Sequence, residues 1–222
     1  DEMVLGCSSD NAARVWMVQG ARLRHTLTGH VAKVSCGVFV DMDKKVVTGS
    51  HDRTIKIWDL SKGYSIKTMF CMSSCNDCAL LAGGTLLATA HVDKCIRLWD
   101  LSSGTNCSVL ENTHEGQVTC VQASPDGKMI MSSGRDNLIH LLDPLTKSKI
   151  GTLKHADYRN AVNWSRACFS PDSHYVAAGS ANGSVFIWDT NTFKVVTNLP
   201  SSVVPSVPAV CVAWHPVGHQ VA

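Results

Sequence analysis

Short runs of apolar and β-branched residues, separated by polar turns, recur along the whole chain. The clearest pair covers residues 45–49 and 54–58, which flank a turn that contains Asp52. Two short apolar runs around a polar turn predict a β-hairpin. Hydrophobic residues make up 45% of the sequence and stay in short runs throughout. This pattern favours an all-β fold made of many small strands.

A second regularity is a Trp, or a Leu in its place, that follows an Asp or Asn by six residues. It occurs five times and recurs every 41 to 46 residues, at Trp16, Trp58, Trp99, Leu142 and Trp188. An Asp follows four of these five positions. A period of this length with a Trp-Asp signature is typical of a WD-repeat β-propeller, with four strands to a blade.

The repeats predict a single propeller domain, because each repeat needs its neighbours to bury its faces. The predicted full units are 28–70, 71–110, 111–153 and 154–199, with partial units at 1–27 and 208–222. The partial units predict an incomplete propeller, truncated at both ends. The unit 154–199 also carries about five extra residues, around 157–161, before its first strand.

One unit contains all four residues of a set known from WD repeats. In such repeats a His, a Ser of the second strand, a turn Asp and the Trp of the third strand form a buried hydrogen-bonded group. We assign this set to His30, Ser50, Asp52 and Trp58. Leaving one partner of a buried hydrogen bond unpaired costs about 1 to 3 kcal/mol. We therefore interpret the four as residues of the fold and not of catalysis.

Charge and composition exclude several classes of protein. The 222 residues carry a net charge of +2 without a block of like charges, which argues against a nucleic-acid or acidic-membrane surface. No apolar run reaches the roughly 18 residues of a membrane-spanning helix, and no signal peptide is recognisable. Ten cysteines in this context predict reduced thiols and a cytoplasmic protein without direct membrane insertion.

Catalytic and cofactor motifs are missing from the sequence. Cys71, Cys75 and Cys78 have a metal-like spacing, with His91 or Cys95 as a conceivable fourth ligand. Structural zinc sites prefer two paired ligand sets, so these thiols are predicted to pack in the core. The chain has neither a Gly-x-Ser-x-Gly nucleophile motif nor a phosphate-binding Gly-x4-Gly-Lys motif. We expect no enzyme activity, no cofactor and no metal.

Protein binding is the function class that fits a rigid propeller with variable loops. Candidate residues for the partner-binding top face lie just before the turn Asp and at the entry to each first strand. They are Lys33, Ser35, His51, Gln117, Thr119 and Arg135. Their variation between repeats suits recognition of short peptide segments on a mixed polar surface. The alternative is that they are ordinary solvated loop residues.

Four sequence words carry a more specific resemblance, which runs from about residue 14 to the end. They are residues 22–30, 49–54, 73–77 and 175–180, and Ser-Ser-Cys-Asn-Asp at 73–77 stands where a usual repeat has Gly-His. These words resemble the C-terminal propeller of autophagy-related protein 16, in particular its plant members. The resemblance implies a non-catalytic adaptor in autophagosome assembly, recruited peripherally to the phagophore membrane. It also implies that the autophagy-related 12–5 conjugate binds regions outside this chain.

A WD-repeat adaptor of another pathway remains the alternative function. A substrate receptor of a cullin ubiquitin ligase usually carries Trp-Asp-x-Arg, but here Trp58-Asp59 and Trp99-Asp100 are both followed by Leu-Ser. A phosphoinositide-binding propeller would show a Phe-Arg-Arg-Gly word, and this chain has no Arg-Arg pair. A signalling scaffold has no diagnostic sequence motif by which this chain could be tested for that role.

Overall fold

A computed structural model of the chain describes residues 2–81, 83–111, 113–201, 207–217 and 221. It confirms the all-β, WD-repeat fold as a partial propeller. The described strands form one three-stranded and four four-stranded antiparallel sheets, each built from consecutive strands. We number these sheets blades 1 to 5. The chain divides into two compact units, Asp1–Asp93 with Arg97–Val109, and Lys94–Ile96 with Leu110–Ala222.

Blades 1 to 3 come first along the chain. Blade 1 consists of β1 (Met3–Cys7), β2 (Ala12–Met17) and β3 (Arg22–Thr28), with a short 3-10 helix (Gln19–Ala21) before β3. Blade 2 consists of β4 (Val34–Val40), β5 (Lys45–Ser50), β6 (Thr54–Asp59) and β7 (Tyr64–Phe70). Blade 3 consists of β8 (Cys75–Leu80), β9 (Leu86–His91), β10 (Ile96–Asp100) and β11 (Thr105–Leu110).

Blades 4 and 5 follow. Blade 4 consists of β12 (Val118–Ala123), β13 (Ile130–Gly134), β14 (Ile139–Leu142) and β15 (Lys149–Leu153). Blade 5 consists of β16 (Ala167–Phe169), β17 (Tyr175–Gly179), β18 (Val185–Asp189) and β19 (Val195–Leu199). After blade 5, Trp214 and Val221 form a single antiparallel bridge. In the predicted partial unit 208–222, residues 218–220 and 222 lie outside the described residues.

Burial changes systematically across each blade. The second strands are almost entirely buried, whereas the fourth strands alternate between buried and exposed residues or lie at the surface. A strand with neighbours on both sides and packed faces must be apolar or small at nearly every position. This explains the runs Val-Val-Thr-Gly-Ser in β5 and Val-Ala-Ala-Gly in β17.

The recurring Asp or Asn shapes the turn between the second and third strands. A side-chain oxygen of Asp10, Asp52, Asp136 and Asn182 accepts a hydrogen bond from the backbone N–H two residues further on. The residue between is left-handed in each case, with φ from 63° to 82°. A short side chain that bonds its own backbone stabilises such a turn. The six-residue spacing from this Asp or Asn to the Trp thus covers the turn and most of the third strand.

The Asp that directly follows the Trp is a different residue from the turn Asp, and it stabilises a different turn. Asp59 Oδ1 accepts from the backbone N–H of Ser61 at 2.8 Å, and Asp189 Oδ1 accepts from Asn191 at 2.8 Å. These bonds close the turn between the third and fourth strands. Hydrogen bonds from Ser61, through its hydroxyl and its backbone N–H, hold the pKa of Asp59 below its usual value. The signature pair therefore joins a buried ring to a surface turn.

Candidate functional site

Blade 2 contains a hydrogen-bonded chain that runs from its interior to its turn. Trp58 Nε1 donates to Thr48 Oγ1 at 2.8 Å, and that hydroxyl lies 2.7 Å from His30 Nε2. His30 Nδ1 lies 2.8 Å from Asp52 Oδ2. One neutral tautomer of the imidazole, with its proton on Nδ1, satisfies every bond in this chain. We call Trp58, Thr48, His30 and Asp52 the blade 2 relay.

Ser50 was predicted to bond with His30 and Trp58, but the structure shows that it is not part of the blade 2 relay. Ser50 Oγ accepts from the backbone N–H of Asp52 at 3.1 Å and lies 2.9 Å from the carbonyl oxygen of Lys33. The hydroxyl between His30 and Trp58 belongs to Thr48, two residues earlier. Residues i and i+2 of a strand face the same side, so the sequence pattern alone could not separate the two.

The same two-residue shift applies to blades 3 and 4. In blade 3, Trp99 donates to Thr89 Oγ1 at 2.8 Å, and His91 Nε2 lies 2.8 Å from the same hydroxyl. In blade 4, His114 lies 2.9 Å from Ser132 Oγ and 3.0 Å from Asp136. The hydroxyl is therefore retained in both blades, although the Ser expected two residues later is replaced by His91 and Gly134.

Burial and hydrogen bonding set the charges along the relay. Burial lowers the pKa of His30, which favours the neutral ring. Burial by itself would raise the pKa of Asp52, but hydrogen bonds from Thr54, the Val31 N–H and His30 outweigh it and hold that pKa below its ordinary value. A neutral imidazole beside an ionised carboxylate, both buried, is a structural pair without access to a substrate.

In blades 2 and 4, a backbone hydrogen bond joins the turn between the second and third strands to the loop that precedes the first strand. The N–H of His51 donates to the carbonyl of Lys33 at 3.0 Å, and the N–H of Arg135 donates to that of Gln117 at 2.9 Å. We call the end of each blade where these two segments meet its turn end. The predicted top-face residues of blades 2 and 4 lie at their turn ends.

The three blade 2 candidates differ in what their side chains do. Lys33 is half-buried and leaves its carbonyl to the turn. Ser35 Oγ donates to the carbonyl oxygen of Cys75 in blade 3 at 2.5 Å and lies 3.2 Å from that of Gly49 in its own blade. His51 Nε2 lies 3.2 Å from Asn76 Oδ1, and burial lowers the pKa of His51. His51 and Lys33 present polar groups at this turn end, whereas the Ser35 hydroxyl is engaged internally.

The three blade 4 candidates differ more in their exposure to solvent than those of blade 2 do. Thr119 is fully buried, and its hydroxyl donates to the Ser133 carbonyl at 3.1 Å and lies 2.8 Å from Asn160 Nδ2. Thr119 thus supports the fold, and its assignment to a partner-contacting surface is corrected. Gln117 is half-buried and Arg135 is exposed, and both bind the amide of Asn163, at 2.7 and 3.3 Å.

The extra residues of blade 5 form the part of the site that sequence reasoning did not single out. His155 stands fifteen residues before the Ser-Pro-Asp turn at Ser170, whereas His114 stands ten before that at Ser124. We call residues 156–166 the blade 5 insertion. It contains the buried Tyr158 and Asn160 and the exposed Arg159 and Trp164. The sequence did contain a signal for this region, namely a Trp shortly before a strand in the unit that has extra residues.

The thiols with metal-like spacing, Cys71, Cys75 and Cys78, pack against other residues of the fold. Cys71 and Cys75 are buried, Cys78 is half-buried, and Cys36 Sγ lies 3.8 Å from Cys75 Sγ. Burial raises the pKa of Cys71 to about 12, so this thiol stays protonated. Cys211, at the same repeat position as the buried Cys36 and Cys120, is exposed.

Among the described residues, one group of metal-ligating side chains comes together, namely His114, Asp136 and His140. Both nitrogens of His114 are occupied by Asp136 and Ser132. His140 Nδ1 bonds Thr152 Oγ1 at 2.9 Å, and its other nitrogen lies 3.5 Å from the Lys149 ammonium. A cation here would meet a positive charge and replace three bonds of the fold, so these residues do not fit a metal ion.

No helix among the described residues is both long and apolar enough to cross a membrane.

Comparison with known proteins gives a family and several relatives. The family "WD domain, G-beta repeat" matches residues 21–59, 63–100, 104–143 and 147–189. The chain is 46% identical to "Protein tipD" of Dictyostelium discoideum, over 99% of the chain and 36% of that protein. It is 41% identical to "Autophagy-related protein 16" of Arabidopsis thaliana, over 100% of the chain and 43% of that protein.

A more distant relative points the same way. The chain is 37% identical to "Protein Atg16l2" of Mus musculus over 72% of the chain and 25% of that protein. The chain spans less than half the length of each of these three relatives. The resemblance to the propeller of autophagy-related protein 16 is thus confirmed over the whole chain. Each of the four matched repeats spans the last strand of one blade and the first three strands of the next. By its repeats and its strand architecture, the chain belongs to the WD-repeat family.

Proposed function

We propose that this chain is a non-catalytic scaffold for protein interactions in autophagy. The observation that carries the proposal is its identity of 41% with a protein named for autophagy, over the full chain. The geometry supports the same class of function. The buried His, Asp and Thr side chains serve the fold, whereas half-buried and exposed polar groups that vary between blades lie at the turn ends.

The finer assignment concerns complex and location. The protein acts in the cytoplasm, as part of or beside the autophagy-related 12–5–16 complex, and is recruited peripherally to the phagophore membrane. The 12–5 conjugate binds regions outside residues 1–222, and the relatives of this chain, at more than twice its length, have room for such regions. Lys33 and His51 in one compact unit, and Gln117 and Arg135 in the other, contribute to surfaces that receive peptide segments of other partners.

Affinity capture followed by mass spectrometry tests this proposal. Three baits are compared, namely the complete protein, the complete protein without residues 1–222, and residues 1–222 alone. We expect the complete protein and the protein without residues 1–222 to recover the 12–5 conjugate, and residues 1–222 alone not to recover it. Recovery of a cullin adaptor by the complete protein, without any autophagy component, would instead favour a WD-repeat adaptor of another pathway.

A further inference from the structure

The turn between the second and third strands of blade 5 differs from its equivalents in the other blades at two adjacent positions. Blades 1 to 4 have an Asp followed by Asn, Arg or Lys, whereas blade 5 has Asn182 followed by Gly183. Gly183 is left-handed, with φ of 82°, and it has no β-carbon to shield its backbone nitrogen. The side chain of Asn182 is exposed. Of the five turns, that of blade 5 alone places a side-chain amide directly before a Gly.

An Asn that precedes a Gly reacts without a catalyst, and Asn is among the thermolabile residues of proteins. The backbone nitrogen of Gly183 attacks Cγ of Asn182 and loses its proton, and the side-chain nitrogen leaves as ammonia. The product is a cyclic succinimide, which water then opens at one of its two carbonyl carbons. Opening at Cγ gives an aspartyl residue. Opening at the backbone carbonyl gives an isoaspartyl residue, whose main chain is one carbon longer. Either route consumes one water and releases one ammonia.

The folded turn holds both reacting groups in hydrogen bonds. The N–H of Gly183 donates to the carbonyl of Ser180 at 2.9 Å, and Asn182 Oδ1 accepts from the N–H of Ser184 at 3.0 Å. The side-chain nitrogen of Asn182 lies 3.5 Å from the carbonyl oxygen of Asp157. Attack on Cγ requires these bonds to break. The reaction therefore proceeds from an opened turn, and its rate in the folded protein depends on how often the turn opens.

Residues that follow blade 5 lie against this turn and oppose its opening. The N–H of Ala209 donates to the same Ser180 carbonyl at 3.0 Å. A β-carbon on Gly183 would lie only 2.8 Å from the carbonyl oxygen of Val207. This close approach leaves no room for a side chain at position 183. The turn stays closed while Val207 and Ala209 remain in contact with it.

We propose that Asn182 is a site of spontaneous deamidation, and that opening of the blade 5 turn controls its rate. The two products affect the fold differently. In the equivalent turns of blades 1, 2 and 4, an Asp accepts from the N–H two residues further on, so an aspartyl residue preserves the turn. An isoaspartyl residue lengthens the loop and shifts the pairing of Gly179 with Val185, which is the pair nearest the turn in the β17–β18 hairpin. The inference is independent of the proposed role in autophagy.

Peptide mapping by liquid chromatography and mass spectrometry tests the inference on the complete protein. The protein is incubated in mildly alkaline buffer, with and without urea at an unfolding concentration, and the unreacted, aspartyl and isoaspartyl peptides are separated. Asn191 is the internal control, because it is exposed in the next turn but precedes Thr192, whose side chain hinders attack by the backbone nitrogen. Ala209→Pro removes the N–H that bonds the Ser180 carbonyl. Asn182→Asp carries the aspartyl product from the start.

We expect deamidation at Asn182 to be at least about tenfold faster in urea than in buffer, since tenfold corresponds to an opening free energy of about 1.4 kcal/mol. Ala209→Pro should accelerate the reaction about threefold or more in buffer and leave it unchanged in urea. Asn191 should stay intact under both conditions. The isoaspartyl protein should unfold at a lower urea concentration than the unreacted protein, whereas Asn182→Asp should unfold at the same concentration.

Four results would overturn the inference. Equal rates in buffer and in urea would show that the turn does not control the reaction. If the unfolded protein stays intact while a synthetic peptide of residues 179–186 deamidates, Asn182 is not a labile site of this chain. An unchanged rate for Ala209→Pro in buffer would contradict control by the residues that cover the turn. Equal unfolding of the isoaspartyl and unreacted proteins would contradict the difference between the two products.

Discussion

Blades 2 and 5 share one strand pattern but stabilise their interiors by different physical means. Blade 2 uses the hydrogen-bonded relay from Trp58 through Thr48 to His30 and Asp52. Blade 5 has Ala178 where blade 2 has the Thr hydroxyl and Asn182 where it has the carboxylate. Its Trp188 Nε1 reaches only a backbone carbonyl, that of Lys154, at 3.3 Å.

Aromatic packing replaces the relay in blade 5. The ring of Tyr158 meets that of Trp188 almost perpendicularly at 5.2 Å, and Phe186 stacks on Trp188 at 5.6 Å. Such pairs contribute about 0.5 to 1.5 kcal/mol beyond their buried area. The comparison teaches that the repeat requires a large buried side chain in the third strand, while its polar partners can be exchanged. Because Tyr158 belongs to the insertion, the replacement also ties this surface loop to the core.

The largest expected effect comes from removing the ring that replaces the relay. Tyr158→Ala should lower the free energy of unfolding by about 3 to 5 kcal/mol, as for other fully buried aromatic residues. Tyr158→Phe is the matched control. It keeps the ring and loses only a 3.4 Å contact with Ser133 Oγ, so its cost should stay below about 1 kcal/mol. Urea unfolding measures both, and equal costs would contradict the aromatic account of blade 5.

The next effect concerns the hydroxyl of the blade 2 relay. Thr48→Val keeps the shape of the side chain but leaves the Trp58 N–H and a His30 nitrogen buried without their partner. We expect the free energy of unfolding, measured by the same urea assay, to fall by about 2 to 3 kcal/mol. Ser50→Ala should cost about 1 kcal/mol, because the Ser50 hydroxyl contacts only backbone groups. A larger cost for Ser50→Ala would restore Ser50 to the group and remove Thr48 from it.

Acid should destabilise the blades that contain buried His and Asp side chains. Burial lowers the pKa of His91 and His140 to about 4 from 6.5, so the unfolded chain binds their protons first. Their contribution to stability is complete above pH 6.5 and is lost as the pH falls towards 4. The pKa of Asp136, about 2, extends the loss from pH 3.8 downwards.

Unfolding by urea between pH 7 and pH 3 measures this dependence. His91→Gln should flatten the profile between pH 6.5 and 4, because it removes one group that must stay neutral. Asn182→Ala in blade 5 is the control and should leave the shape of the profile unchanged, since the amide does not titrate. An unchanged profile in His91→Gln would show that this ring is not protonated on unfolding.

The smallest effect is expected from exchanging the two turn residues. Asp52→Asn places an amide where the carboxylate accepts from the Val31 N–H and Thr54, and should cost about 1 to 2 kcal/mol. Asn182→Asp retains the bond from the Ser184 N–H at an exposed turn and should change stability by less than about 0.5 kcal/mol. Similar costs at the two sites would mean that blade 2 does not depend on its carboxylate.

The sequence was sufficient for the strands and turns, because these depend on residues close together along the chain. Alternating apolar runs placed the hairpin of residues 45–58, and the turn Asp or Asn identified four of its equivalents. The candidate site was predicted less completely. Thr119 was expected at the surface but is buried, since only the packing of the insertion against it, through Asn160, decides its exposure.

The sequence by itself determined the all-β repeat and the WD-repeat family, because a 41 to 46 residue period records one local unit copied several times. Only the tertiary structure decided that Thr48, and not Ser50, joins His30 to Trp58. It also decided that Tyr158 replaces this relay in blade 5 and that Trp164 faces solvent. Hydrogen-bond partners and burial depend on residues distant in the chain, which periodicity does not specify.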